Sequence, residues 1–261
     1  MIEVKNLVKK FGDFRAVDNI SFKVKAGERF ALLGPNGAGK STTIKMLTTL
    51  LKPTSGELIM NGYNVLKEQN KVRKSFGIVF QDPTVDNDMT AYENMELHAV
   101  LYHVPKRDLK SRIKQLLELV ELWDKKDILV RNFSGGMRRR LEIARGLLHH
   151  PKILFLDEPT VGLDPQTRVL LWNYVNKLAK DKNMTILFTT HYLEEAENNA
   201  DRIALIDHGN LISIGNLKDL LLKTKSKNLE EAYLKLTGTE IRDEKLEPGV
   251  AWKERHRARL R

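Results

Sequence analysis

Nine residues, Gly34-Pro35-Asn36-Gly37-Ala38-Gly39-Lys40-Ser41-Thr42, place glycines, a lysine and two hydroxyls in the spacing of a phosphate-binding loop. Glycines let backbone N–H groups turn inward around phosphate oxygens. A helix that starts at such a loop adds partial positive charge. Lys40 can reach the β- and γ-phosphates, and the Ser41 hydroxyl can ligate Mg²⁺. The apolar run Phe30-Ala31-Leu32-Leu33 leads into the loop as a buried strand, and Thr43 to Leu47 follows as a helix. Strand, loop and helix in this order imply a bound nucleoside triphosphate.

A second apolar strand, Ile153-Leu154-Phe155-Leu156, ends in Asp157 and Glu158. A buried strand would deliver Asp157 to the sheet end beside the phosphate loop, where it can hold Mg²⁺ through a water. Glu158, one residue on, can orient and polarise an attacking water as general base. Solvated acids often end strands. The phosphate loop on the same alternating α/β chain favours the chemical reading.

A third feature is Phe133-Ser134-Gly135-Gly136-Met137, which opens a helix running through Arg145. Ser134 is a good N-cap, and Gly135 and Gly136 leave the N–H groups open. Alone, this is an ordinary capped helix. Beside the phosphate loop it becomes a second anion-binding helix end. One γ-phosphate rarely needs two such ends. A head-to-tail dimer needs both, if each chain supplies half of each site.

These residues need a sheet to hold them. The first segment reads as short strands, Ile2 to Val4 and Ala16 to Val24, with turns at Gly12-Asp13 and Ala26-Gly27. Glu57 to Met60 with Asn61-Gly62 predicts a hairpin. Phe76 to Phe80 is a buried strand ending at Gln81. From Thr90 to about His150 the pattern is helical, with Leu109, Ile113, Leu116, Leu117 and Val120 on one apolar face and Asp108 near the helix start after Pro105. Strands return at Ile153, Thr185 and Arg202, with a helix from Thr167 to Lys180. This alternation predicts an α/β fold with a parallel sheet covered by helices and a helical insertion as a separate subdomain. The expected division is a nucleotide-binding domain over 1–215, with core and β subdomain in 1–81 and 151–215 and the helical subdomain at about 82–150. A charged, partly helical extension follows over 216–261. No internal repeat is visible, so one nucleotide domain is expected.

The 261 residues carry a net charge of +10 and no cysteine. A disulfide framework and cysteine metal sites are excluded. No apolar run nears the roughly 18–20 residues that span a bilayer, and Met1-Ile2-Glu3-Val4-Lys5 lacks the character of a secretory signal. A basic block, Lys253, Arg255, Arg257, Arg259 and Arg261, lies past Pro248-Gly249. Only Trp252 offers a stacking surface there, so specific nucleic-acid binding is not expected. A solvated, lysine-rich surface is the plainer reading of the charge, with contact between that block and anionic lipid headgroups as the alternative.

The sequence resembles the ATP-binding subunits of ABC transporters over about Ile2 to Asp243. Phe133 to Met137 is similar to their L-S-G-G-Q signature, with Phe133 for leucine and Met137 for glutamine. No side-chain amide contact therefore carries over to Met137. The resemblance implies a P-loop NTPase core with a mainly parallel sheet, an N-terminal antiparallel β subdomain and an inserted α-helical subdomain. It also implies roles residue by residue. Phe11 would stack on adenine; Gly34, Pro35, Asn36, Gly37, Ala38, Gly39, Lys40, Ser41 and Thr42 would form Walker A. Gln81 would be a Mg²⁺ ligand that also links to the membrane partner, and Asp157 and Glu158 would complete Walker B. Gly162-Leu163-Asp164 would line the dimer seam, although Asp164 also suits a cap before Pro165. His191 would be the switch histidine that senses γ-phosphate, and Ser134, Gly135 and Gly136 would face the ATP of a second chain. F-S-G-G-M, V-G-L-D-P and Tyr233 to Gly238 are most similar to the daunorubicin and multidrug-resistance exporter branch, whose permeases are separate proteins.

The resemblance implies an ATP hydrolase using ATP and Mg²⁺, acting as a homodimer or with a related ATP-binding subunit. It would be cytoplasmic, peripheral on the inner face of the cell membrane, and would power export through integral-membrane permease subunits. The alternative is a soluble ABC ATPase in translation, repair or cofactor assembly. Tandem cassettes, long coiled coils and zinc modules, usual in those proteins, are not seen here. A small-molecule kinase would have no use for Ser134-Gly135-Gly136, and a non-catalytic regulatory module would not need Glu158 and His191.

Overall fold

The computed structural model describes residues 1–238, apart from the side chain of Lys182. The basic block at Lys253 to Arg261 lies outside the described residues. Strand β1 (Ile2–Phe11) turns at Gly12-Asp13 into β2 (Phe14–Val24). β1 is longer than its sequence pattern predicts. Asn6 takes a left-handed φ of 48°, and the register with β2 shifts between Val4 and Leu7. The alternation breaks there, so Leu7 to Phe11 does not read as a continuation. β3 (Arg29–Leu33) leads to α1 (Lys40–Leu47). β4 (Ser55–Met60) pairs with β1 and turns at Asn61-Gly62 into β5 (Tyr63–Asn64), the expected hairpin. These strands form one antiparallel sheet in the order β2-β1-β4-β5.

After α2 (Gln69–Arg73), β6 (Phe76–Val79) begins the other sheet. Three helices follow: α3 (Ala91–Leu101), α4 (Lys106–Leu119) and α5 (Gly135–Gly146). Thr90 and Glu93 close a capping box on α3. On α4 the N-cap is Pro105, and Asp108 sits inside the first turn, where its charge still favours the helix dipole. α4 buries Ile113, Leu116 and Leu117, three of the positions on its predicted apolar face.

The chain then alternates: β7 (Ile153–Asp157), α6 (Pro165–Lys182), β8 (Thr185–Thr190), α7 (Leu193–Asn199), β9 (Arg202–Asp207) and β10 (Asn210–Gly215). α8 (Leu217–Thr224) and α9 (Leu229–Thr237) close the described chain. The sheet order is β10-β9-β3-β8-β7-β6, with only β10 antiparallel. Alternate side chains along each strand feed two cores. Leu154, Leu156, Ile186 and Phe188 join the helices α3 to α6, whereas Phe155 and Leu187 join α1 and the antiparallel sheet.

Because β3, β7 and β8 are parallel neighbours, their carboxyl ends share one edge. That edge is where a ligand binds in open α/β sheets. It carries Gly34, Asp157 and His191.

α5 lies on β6 at backbone contact. A Cβ on Gly77 would come within 2.2 Å of the Gly146 carbonyl oxygen. Gly77→Ala must push α5 off the sheet, so denaturant unfolding should show a loss of about 1–3 kcal/mol. Wild-type stability would contradict the contact.

Candidate active site

The phosphate loop is fixed by its neighbours. Gly34 N–H donates to the Thr190 carbonyl (3.3 Å), and the Ala38 carbonyl accepts from Gly209 N–H (3.1 Å). Gly39 combines φ +101° with a backbone approach that would put a Cβ 2.4 Å from the Ala16 carbonyl oxygen, so only glycine fits. Lys40 is buried at the head of α1. Its Nζ donates to the carbonyls of Gly34 (2.8 Å) and Pro35 (3.0 Å) and lies 3.1 Å from Glu158 Oε1. Burial pulls the ammonium below its ordinary pKa, against the pull of Glu158.

Asp157 ends β7 and is held by two hydroxyls on the same oxygen. Ser41 Oγ donates to Oδ1 at 3.0 Å and Thr189 Oγ1 at 2.6 Å. Burial nevertheless raises the carboxyl above its usual range. Oxygen donors of this kind suit Mg²⁺, which keeps several waters and takes few protein ligands. Among the described residues no cluster of three or more His, Cys, Asp or Glu could hold a metal unaided. The fit is therefore to a cation shared with phosphate, held by Ser41 and Asp157.

Glu158 sits in the left-handed region, at φ +47°. The conformation is uncommon for a non-glycine residue and needs support from its surroundings. Thr189 Oγ1 accepts its N–H at 2.9 Å. Its Oε2 lies 3.2 Å from His191 Nδ1, although His191 Nδ1 has no well-formed hydrogen bond. Burial alone would raise Glu158. His191 and Lys40 outweigh it and hold the carboxyl below its ordinary value, so it is ionised at neutral pH.

The structure thus brings Lys40, Ser41, Asp157, Glu158 and His191 into one cluster. Thr189, which bridges Asp157 and Glu158, was not predicted. Its sequence signal is the hydroxyl pair Thr189-Thr190 directly after the apolar run Ile186-Leu187-Phe188. Other predicted residues stand apart. Gln81 is exposed, and its side chain makes no hydrogen bond to the described residues. Phe11 is half exposed on the β1–β2 turn, with the Lys9 ammonium 4.9 Å from its ring centroid.

Ser134 caps α5 by accepting Met137 N–H at 3.3 Å. Asp164 caps α6 by accepting Thr167 N–H (3.0 Å) and Oγ1–H (2.6 Å). Gly136 packs on the Thr167 side chain and Gly135 faces Leu163. No hydrogen bond among the described residues joins Ser134–Gly136 to Gly34–Thr42.

A phosphate loop, a strand-end Asp-Glu pair and a strand-end histidine on a parallel sheet define a nucleoside-triphosphate hydrolase of the P-loop class. The model of the ABC transporter family matches residues 17–161, and the chain belongs to that family. It is an ABC-type ATPase, most similar to ATP-binding proteins of the daunorubicin-type resistance branch. It is 42% identical over 220 residues to the linearmycin resistance ATP-binding protein of Bacillus subtilis (strain 168), covering 84% of this chain and 70% of that one. It is 44% identical to the daunorubicin/doxorubicin resistance ATP-binding protein of Streptomyces peucetius, covering 84% and 66%. A solved ATP-binding subunit of an ABC transporter superposes with a TM-score of 0.82 at 31% identity, covering 91% of this chain and 99% of that one. The cassette MJ0796, solved as a dimer in a post-hydrolysis state with ADP and Pi, superposes at 0.75 and 29% identity, covering 83% and 98%.

The raised pKa of Asp157 has a consequence for stability. A carboxylate raised by folding costs nothing below its unfolded pKa, and its full cost is present above the folded one. At pH 7 the cost is present. Asp157→Asn keeps the shape and removes the charge, so without nucleotide or Mg²⁺ it should raise the melting temperature by about 2–4 °C. A lower melting temperature would contradict this.

Proposed function

We propose that this chain is the ATP-hydrolysing subunit of an exporter and works as two copies closed head-to-tail over two Mg-ATP. The observation that carries the reading is that, among the described residues, no hydrogen bond joins Ser134–Gly136 to the phosphate loop, and Gly136 packs on Thr167 instead. Lys40, Ser41, Asp157, Glu158 and His191 converge at one sheet edge, while Ser134–Gly136 lies against α6. A C₂ pair would bring each Ser134–Gly136 to the phosphate loop of the other chain. The dimeric relative with ADP and Pi supports this arrangement.

In the closed pair, the N–H groups of the loop and Lys40 hold the β- and γ-phosphates. Lys40 leaves its carbonyl acceptors and Glu158 to do so. Glu158, ionised at neutral pH, accepts a proton from the attacking water. His191 holds the γ-phosphate. Phe11 supplies a flat face for adenine. Ser41, Asp157 and Gln81 would hold Mg²⁺, which when bound offsets charge on the phosphoryl oxygens. Ser134 and the N–H groups at Gly135 and Gly136 complete the phosphate shell from the second chain, beside Asp164. ATP favours the closed pair because only that state completes the site, and hydrolysis reopens it.

No helix among the described residues is long and apolar enough to cross a membrane. In this reading the transport path belongs to separate permease subunits, with this chain peripheral on the inner membrane face. The names of the relatives, resistance and Nod factor export proteins, favour export over a soluble role. Solubilised membranes carrying the tagged chain should yield a hydrophobic permease with it.

Glu158→Gln should bind ATP, lose roughly 100-fold or more of its turnover, and accumulate as an ATP-bound dimer in light scattering. Near-normal turnover would remove Glu158 as the base.

A further inference from the structure

Arg139 and Glu142 sit one turn apart on α5 as an ion pair of 3.0 Å, 6% and 1% exposed. A guanidinium has five N–H donors and no acceptor, so it is tolerated in the interior only where acceptors converge. Here four backbone carbonyls do. Arg139 Nε donates to Pro159 (2.8 Å), Nη2 to Glu158 (3.2 Å) and Gln81 (3.3 Å), and Nη1 to Phe80. Glu142 Oε1 in turn accepts the Thr84 N–H (2.7 Å) and hydroxyl (3.2 Å). Arg145, one turn further, donates from Nη1 to the Thr84 carbonyl at 2.8 Å.

One face of α5 therefore grips residues 80–84 and 158–159, the two segments that carry Gln81 and Glu158. The peptide groups of Glu158 are held from both sides. Thr189 accepts its N–H, and Arg139 donates to its carbonyl. This is the residue in the left-handed conformation, which depends on such support. Three residues before Arg139, the same helix ends in Ser134–Gly136. A rigid helix thus joins the part that would face the neighbouring chain's ATP to the backbone that sets the base and the glutamine of its own site.

We propose that Arg139, neutralised by Glu142, is a positioning residue that couples the two ATP sites through α5. Closure against Ser134–Gly136 would be transmitted by Arg139 to the backbone of Gln81 and Glu158. The coupling part of this proposal rests on the two-chain reading above. The positioning part concerns a single chain.

The test compares full-length wild type with Arg139→Lys, Arg139→Gln and the double variant Arg139→Gln/Glu142→Gln. The double variant removes the unpaired buried carboxylate that Arg139→Gln alone leaves at Glu142, so it is expected to fold even where Arg139→Gln does not. The readouts are thermal melting, equilibrium binding of Mg-ATP, kcat, KM and the Hill coefficient of hydrolysis. We expect folded variants with unchanged ATP affinity, a kcat lower by about 10–100-fold, and a Hill coefficient falling from above 1 toward 1. Lysine restores the charge but not the planar fork to four carbonyls, so Arg139→Lys should stay close to Arg139→Gln in kcat. A purely structural pair would lower the melting temperature and leave both kcat and cooperativity of the folded fraction intact. That result, or full rescue by lysine, overturns the proposal. Failure of all three variants to fold would assign the pair to core stability and overturn it too. Failure of the two-chain reading looks different: wild type itself would show a Hill coefficient of 1 and Glu158→Gln would form no ATP-bound dimer. The kcat comparison would then decide alone whether Arg139 positions Glu158.

Discussion

Three charged groups, Lys40, Asp157 and Glu158, are buried within a few ångströms of one another at the end of a parallel sheet. Buried charge is costly unless every group finds partners, and the surrounding structure follows from that requirement. Lys40 takes two loop carbonyls and Glu158. Asp157 takes two hydroxyls. Glu158 takes Lys40 and the neighbourhood of His191, while Thr189 and Arg139 hold its backbone. Remove one partner and a neighbouring charge is left in low dielectric. The cluster is therefore a unit, poised to exchange internal partners for phosphate and metal.

The fold is what allows the exchange. Parallel order places three loops, from β3, β7 and β8, at one edge. The two faces of that sheet are covered by different layers, helices on one side and α1 with the antiparallel sheet on the other. The helical layer carries Ser134–Gly136 and lies on β6 at the Gly77–Gly146 backbone contact. That layer is also tied by hydrogen bonds to the backbone of residues 80–81 and 158–159. Arg139 makes four of them.

Features encoded locally were legible in the sequence. The phosphate loop, the Asp157-Glu158 strand end, the caps at Ser134 and Asp164 and the Asn61-Gly62 hairpin all depend on residues a few positions apart. Long-range partners were not. Thr189 and Asp157 are 32 residues apart, and nothing in either neighbourhood names the other. Arg139 was hidden for another reason: its acceptors are main-chain carbonyls, which every residue has. β1 was read too short because Asn6 interrupts the alternation on which the period depends. Gln81 and Phe11 rested on resemblance, and both side chains lie at the surface, where partners would come from ligand or a second subunit rather than from this chain.

The central claim is that each ATP site is built from two chains, and mixing two inactive chains tests it most directly. Lys40→Ala lacks the phosphate loop's cation, and Ser134→Arg blocks the other half-site. In a head-to-tail pair of one of each, both defects fall in the same site and the other site is whole. An equimolar mixture should therefore regain ATP hydrolysis at roughly a quarter of the wild-type sites, given random pairing. A mixture as inactive as its two components would contradict the account.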